Sequence, residues 1–160
     1  MKETSVRIGY GVDMLRLVPD AKLVLGGVEI PFDRGLDGPG GGDVLARAVM
    51  DAMLGACSTC IPKPIPLHET GDAASPLAEL ASLAEEGRKR GFRVINLDAT
   101  LLLERPRLAI FIEKMRGNLS RALGVDTMHI SIKERSPEGL GPAGRGEGIE
   151  ARVVMLMNME

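Results

Sequence analysis

The stretch from Pro39 to Ala56, PGGGDVLARAVMDAMLGA, decides the fold because a glycine-rich loop leads directly into an apolar helix. Val44, Ala48 and Met53 recur at helical spacing. This periodicity predicts a helix that begins at Asp43 and buries one apolar stripe against the rest of the chain.

The polar side of this helix carries a regular charge pattern. Asp43, Arg47 and Asp51 lie four residues apart, so the sequence predicts that they stack on one face as an acid–base–acid ladder. Such pairs stabilise a helix by a few tenths of a kcal/mol each. The helix is predicted to end near Gly55, where the apolar stripe stops.

The remaining segments alternate between strand and helix periodicity. Strands are predicted at 5–15, 22–25, 28–30, 92–103, 128–133 and 149–157, and helices at 76–90 and 107–123, with loops over 35–42, 57–75 and 136–148. Gly26 and Gly27 predict a tight hairpin turn. The order indicates an α+β fold, a mixed β-sheet with helices on one face. The other, uncovered face predicts association between copies of the chain.

Composition limits the classes of protein and partner. A chain of 160 residues predicts a single domain over 1–160 with a real core, and the 2% aromatic content makes that core aliphatic. The net charge of −2 argues against nucleic acid as a partner. No run of about 18 apolar residues predicts a membrane span, and the first residues lack a signal-peptide pattern. We therefore expect a cytoplasmic protein.

Five blocks of sequence occur in the order and spacing of one known family. They are RIGYGVD (7–13), LVLGGVEIPFDRGL (23–36), GDVLARAVMDAMLGA (42–56), LDATLLLERPRL (97–108) and GLGPAGRGEGIEARVV (139–154). Together they resemble the 2-C-methyl-D-erythritol 2,4-cyclodiphosphate synthases of isoprenoid biosynthesis. The resemblance implies a homotrimer with active sites between subunits. It also implies a cavity on the three-fold axis, which Arg145 and Glu147 would line.

The resemblance assigns a catalytic zinc ion to three positions, which here are Asp13, Leu15 and Arg47. Leucine has no lone pair to donate, and a guanidinium group has only donors. We therefore expect that the zinc site is lost, that no zinc cofactor is used, and that Arg47 forms an ion pair with Asp13. Two alternatives remain: Arg47 pairs only along its own helix, or it clamps a phosphate group.

Other positions match the family's ligand-binding residues. The resemblance implies nucleotide contact near residues 104–107 and diphosphate contact near residues 133–138; the candidates are Glu104, Pro106, Arg107, Lys133, Ser136 and Glu138. Glu138 matches a carboxylate for a second metal, so magnesium is an alternative cofactor there. The expected partners are a second and third copy of the chain and a nucleotide or diphosphate small molecule.

Cys57 and Cys60 form a lone CxxC pair, with His68 further along the same loop. One interpretation is a replacement metal site with Asp13; the other is two inert thiols. A single pair without a second pair nearby favours the inert thiols.

Three hypotheses for function follow. The first is a divergent family member that binds a phosphorylated or nucleotide-like ligand without cyclase activity. The second is an active cyclodiphosphate synthase, a phosphorus–oxygen lyase that releases CMP. The third is another enzyme on the same scaffold that uses Cys60 or Arg47. The loss of zinc ligands favours the first, and on that basis we expect no cyclase activity.

Overall fold

A computed structural model describes residues 5–57 and 74–159. The strands are β1 (Ser5–Pro19), β2 (Leu23–Leu25), β3 (Val28–Ile30), β4 (Arg34–Asp37), β5 (Phe92–Leu102), β6 (Ile130–Arg135) and β7 (Gly148–Met159). The helices are α1 (Val44–Cys57), α2 (Pro76–Lys89), α3 (Ile112–Leu123) and the short α4 (Gly141–Gly144), with 3-10 turns at Pro39–Gly41 and Thr127–His129.

Five strands form one sheet in the order β4-β1-β7-β5-β6, and β2 and β3 form a separate hairpin. Among the strands of the described residues, β5 and β6 run parallel and the other pairs are antiparallel. The sheet is therefore mixed, which confirms the predicted α+β class. Gly26 and Gly27 both have positive φ, so the predicted glycine turn between β2 and β3 is also confirmed.

Helix α1 lies almost directly on the backbone of β1. A Cβ atom at Gly9 would lie 1.8 Å from the carbonyl oxygen of Ala52, and one at Gly11 would lie 2.0 Å from that of Ala48. Only glycine permits this approach. Because the two elements touch here, the next helix-facing residue of β1, Asp13, comes within reach of Arg47 on α1.

The core lies between α1 and the sheet. Its α1 side includes Val44, Leu45, Ala48, Val49 and Met53, and its β7 side includes Ile149, Ala151, Val153 and Met155, all at most 1% exposed. Burial alternates along β7, as expected for a strand with one face on the core.

The opposite face of β1 carries a stripe of exposed apolar side chains. These side chains are 42–70% exposed and comprise Val6, Ile8, Tyr10, Val12 and Met14. An apolar stripe on a face that none of the described helices covers is typical of an interaction surface.

Several predicted boundaries were wrong. Residues 34–37, predicted mostly as loop, form β4 because they pair with the extension of β1 from Arg16 to Pro19. Helix α3 begins at Ile112 instead of residue 107, since the segment before it is held by a hydrogen bond from the Leu108 amide to Glu134.

The remaining boundary differences are smaller. Helix α1 continues past Gly55, strand β6 lies two residues later than expected, and the loop at 136–148 contains α4. Most of the predicted 57–75 loop, with Cys60 and His68, lies outside the described residues. Within residues 5–57 and 74–159, no helix is both long and apolar enough to cross a membrane.

Candidate functional site

The centre of the candidate site is an ion pair between β1 and α1. Arg47 Nε donates to Asp13 Oδ2 at 2.6 Å, and the two side chains are 7% and 17% exposed. A carboxylate this sheltered from water is costly unless it is paired, and the guanidinium supplies both charge and a hydrogen bond. The predicted Asp13–Arg47 pair is confirmed.

The predicted charge ladder along α1 was wrong because Asp43 has other partners. Its carboxylate accepts hydrogen bonds from the backbone amides of Gly26 (2.9 Å), Gly27 (2.7 Å) and Ala46 (3.0 Å). Asp43 therefore caps the start of α1 and ties it to the β2–β3 turn. Burial raises the pKa of Asp43, an effect that these backbone hydrogen bonds partly offset.

Asp51, the third member of that predicted ladder, also turns away from Arg47. Its Oδ2 accepts from the backbone amide of Val12 at 3.0 Å. Asp43 and Asp51 thus accept hydrogen bonds from backbone N–H groups. Among the described residues, Asp13 is the one carboxylate within ion-pair distance of Arg47.

Leu15 lies two residues beyond Asp13 on the same face of β1. A Cβ atom at Gly38 would lie 2.9 Å from Leu15 Cδ1, so the glycine-rich loop packs directly on this leucine. The side chain is half-buried. Leu15 therefore places an apolar side chain next along this face of β1 after Asp13.

The predicted nucleotide-binding positions come together where the parallel strands β5 and β6 end. Glu104 Oε2 accepts from the Ser136 hydroxyl at 2.9 Å and from the Gly139 amide at 3.4 Å. The Leu108 amide donates to Glu134 Oε2 at 2.5 Å. These bonds fix the segment after β5 against the segment after β6.

The other predicted positions in this region are more open. Pro106 is half-buried, and Arg107 is exposed beside it. Glu138 is exposed, has a φ of 57°, and donates its amide to Ser136 Oγ at 3.0 Å. Lys133 pairs with Asp98 across neighbouring strands; Asp98 was not among the predicted site residues, although it lies in the LDAT motif.

Arg145 and Glu147 form an exposed ion pair at 2.7 Å, which lowers the pKa of Glu147. They border an open cavity of about 720 Å³ whose lining also includes Leu15, Arg16 and Arg34. Arg34 donates to the Gly146 carbonyl at 2.7 Å, so a hydrogen bond from β4 holds this wall of the cavity.

Comparison with known proteins places this geometry in context. The model of the YgbB family matches residues 6–158. The chain is 45% identical over 157 residues to the 2-C-methyl-D-erythritol 2,4-cyclodiphosphate synthase of Moorella thermoacetica, covering 95% of this chain and 94% of that protein. The chain belongs to the YgbB family. The family resemblance seen in the sequence motifs, including its connection with isoprenoid biosynthesis, is therefore confirmed.

Solved structures of YgbB-type proteins share the fold. The bifunctional IspDF from Campylobacter jejuni matches with a TM-score of 0.86 at 27% identity, over 99% of this chain and 43% of that longer protein. A 2C-methyl-D-erythritol 2,4-cyclodiphosphate synthase in its CDP-bound form matches with a TM-score of 0.76 at 26% identity, over 94% of this chain and 99% of that one.

The expectation of no metal cofactor was wrong, because the cyclodiphosphate synthases to which this YgbB chain is similar are metal-dependent enzymes. Asp13, Leu15 and Arg47 nevertheless do not fit a zinc ion as they stand. Asp13 is bonded to Arg47, and neither Leu15 nor Arg47 has a donor lone pair. No group of three or more His, Cys, Asp or Glu side chains within residues 5–57 and 74–159 could hold a metal ion.

Proposed function

We propose that the chain is a phosphorus–oxygen lyase of isoprenoid biosynthesis, a 2-C-methyl-D-erythritol 2,4-cyclodiphosphate synthase. The observation that carries this proposal is the 45% identity to the Moorella thermoacetica synthase over nearly the whole of both chains. A shared fold alone would not be enough, since one fold hosts many functions. Identity of this size across both chains supports shared chemistry as well.

In this reaction a phosphate oxygen of the substrate attacks the β-phosphorus of the substrate's own cytidine diphosphate. The new P–O bond closes a cyclic diphosphate, the bond to the bridging oxygen breaks, and its electron pair leaves on CMP. Fixed positive groups must offset the charge on the phosphoryl oxygens. We assign this role in the chain to Arg47 and Lys133.

The nucleotide is assigned to the segment from Glu104 to Leu108. Its hydrogen bonds to Glu134, Ser136 and Gly139 hold it in one arrangement before any ligand arrives. A preformed segment loses less conformational entropy on binding, which favours affinity. The CDP-bound form of a solved relative supports a cytidine nucleotide as the ligand.

In one protomer these two regions lie on different strands, three strand spacings apart in the sheet. Asp13 lies opposite Ala151, Ala151 opposite Leu101, and Leu101 opposite Glu134. The spacing of three strand pairs is about 14 Å, and both middle residues are fully buried. We therefore assign the active site to the junction between copies of the chain, with Arg47 from one copy and the nucleotide segment from another.

The assembly proposed for this purpose is a homotrimer. The exposed stripe from Val6 to Met14 supplies an apolar surface for it, and Arg145 and Glu147 are assigned to the three-fold axis. Light scattering of the purified full chain tests this part: a mass of three chains supports it, and a monomer at micromolar concentration contradicts it.

A second function is favoured by one specific observation, the Asp13–Arg47 ion pair. A guanidinium already bonded to Asp13 stands where the family resemblance assigns a metal ligand. The second function is therefore a protein that binds the nucleotide diphosphate without turning it over.

Phosphorus NMR of the full chain with the cytidine diphosphate substrate, zinc and magnesium separates the two functions. Equal amounts of CMP and cyclic diphosphate support the lyase. Unchanged substrate, together with a thermal shift caused by CDP, supports the binding protein. Unchanged substrate without a thermal shift contradicts both.

A further inference from the structure

Glu134 is a charged residue at a position where the pattern of strand β6 predicts an apolar one. Ile130 and Ile132 precede it on the same face of the strand, and both are buried. Glu134 itself is half-buried near the end of β6, and its Oε2 accepts from the Leu108 amide at 2.5 Å. It therefore brings a carboxylate against the segment from Glu104 to Leu108, to which the nucleotide is assigned.

The position of this carboxylate is fixed from two sides. Leu108 is fully buried and its carbonyl accepts from the Phe111 amide at 2.8 Å, so the core holds the amide that donates to Glu134. The Leu103 amide donates to the Arg135 carbonyl at 3.1 Å, which joins the residue before the nucleotide segment to the residue after Glu134. A side chain held in this way loses little conformational freedom when a ligand binds.

The second oxygen of the Glu134 carboxylate has no protein partner among the described residues. Its Oε2 accepts from the Leu108 amide, whereas the structure gives Oε1 no hydrogen bond and the carboxylate no ion pair with any described lysine or arginine. Glu104 likewise uses Oε2 alone, on the Ser136 hydroxyl and the Gly139 amide. The nucleotide segment is thus bordered by two carboxylates, each with one oxygen that no described residue bonds.

We propose that Glu134 selects the base of the nucleotide by accepting a hydrogen bond from the exocyclic amino group of cytosine. Carboxylate side chains read this N4 amino group in nucleic acids in the same way. Uracil carries a carbonyl oxygen at that position, and its N3–H lies between two carbonyl oxygens that repel a carboxylate. This inference rests on the nucleotide site proposed above and adds to it the residue that distinguishes cytidine from uridine nucleotides.

A purely structural role for Glu134 predicts a different outcome. Such a role needs only an oxygen acceptor for the Leu108 amide, and glutamine supplies one. Glu134→Gln therefore keeps the bond to Leu108 and removes the negative charge, while its amide N–H groups match the O4 carbonyl of uracil. The structural role predicts an unchanged base preference in this variant, whereas base selection predicts a preference shifted toward uracil.

The test is isothermal titration of the full chain with CDP and, in parallel, with UDP. Wild type should bind CDP at least about fivefold more tightly than UDP. In Glu134→Gln the affinity for CDP should fall and that for UDP should rise, so that the preference is lost or reversed. Glu29→Gln, at an exposed position of β3, is the matched control and should keep the wild-type ratio. Equal affinities in wild type, no binding of either nucleotide, or the wild-type ratio in folded Glu134→Gln overturns the proposal.

A second probe makes the test independent of the folding of the variant, which circular dichroism monitors. The wild-type chain is titrated with the diphosphate of 2-pyrimidinone riboside, a cytidine analogue that lacks the amino group. It should bind more weakly than CDP, and an affinity equal to that of CDP overturns the proposal. A preference for CDP that depends on Glu134 but comes with no CMP release would reject the lyase and keep this inference. CMP release with a base preference independent of Glu134 would do the reverse.

Discussion

Asp43 and Asp13 are two sheltered carboxylates near the first turn of α1, and the structure satisfies them in different ways. Asp43 accepts three backbone N–H groups that the fold itself fixes in place. Asp13 depends on one side chain, the guanidinium of Arg47. Backbone donors cannot be exchanged by mutation, whereas a side-chain partner can. The comparison indicates that Asp43 serves the fold and that the site around Asp13 is where function can vary.

The largest effect is expected for Asp43→Ala. Three backbone amides would lose their acceptor, which should lower the free energy of unfolding by about 3–5 kcal/mol. Urea denaturation measures this loss. Asp37→Ala, at an exposed position of β4, is the control and should change stability little. A loss below about 1 kcal/mol for Asp43→Ala would contradict the conclusion that Asp43 serves the fold.

Arg47→Met should come next, because it leaves the Asp13 carboxylate sheltered and unpaired. We expect a loss of about 2–4 kcal/mol in the free energy of unfolding, measured at neutral pH. The Asp13→Asn/Arg47→Met double variant should recover about half of that loss, since it carries no unpaired charge. Additive losses in the double variant would show that the ion pair does not couple the two residues.

Asp51→Ala should have a smaller effect. The Asp51 side chain is exposed and makes one bond to the amide of Val12, so its removal should lower the free energy of unfolding by about 0.5–1.5 kcal/mol. Thermal denaturation provides the measurement. A loss as large as that of Arg47→Met would mean that Asp51, too, belongs to the ion-pair site.

The smallest effect concerns pH. Burial raises the pKa of Asp43 above its ordinary value of 3.8, so the folded chain holds this proton more tightly than the unfolded chain does. The associated stability is present below the ordinary pKa and is lost as pH rises through the raised pKa. The stability of wild type relative to Asp43→Asn should therefore fall as the pH rises above the ordinary pKa of 3.8. A rise in that range would contradict this assignment.

Much of the fold could be predicted because local signals agreed with one another. The glycine turn at Gly26 and Gly27, the strand-to-helix order and the apolar stripe of α1 all follow from periodicity and turn residues. Strand β4 could not be found this way. Its sequence RGLD reads as a loop, and it becomes a strand only through pairing with β1.

The site was predictable in part. The Asp13–Arg47 pair followed from the chemistry of the exchanged residues, but the ladder of Asp43, Arg47 and Asp51 did not form. Helical spacing shows which side chains are neighbours on α1 and says nothing about the backbone amides of the β2–β3 turn or of β1. Those amides come from segments distant in sequence, so only the tertiary structure reveals that they take both carboxylates. The link between Asp98 and Lys133 depends in the same way on the pairing of β5 with β6.

A crystal structure of the full chain with CDP measures directly the distance between the Nη atoms of Arg47 and the diphosphate. We expect the phosphoryl oxygens of the diphosphate at about 2.7–2.9 Å from the Nη atoms of Arg47, with Asp13 still bonded to Nε. A CDP molecule whose diphosphate binds away from Arg47, with both Nη atoms left in solvent, would contradict that assignment.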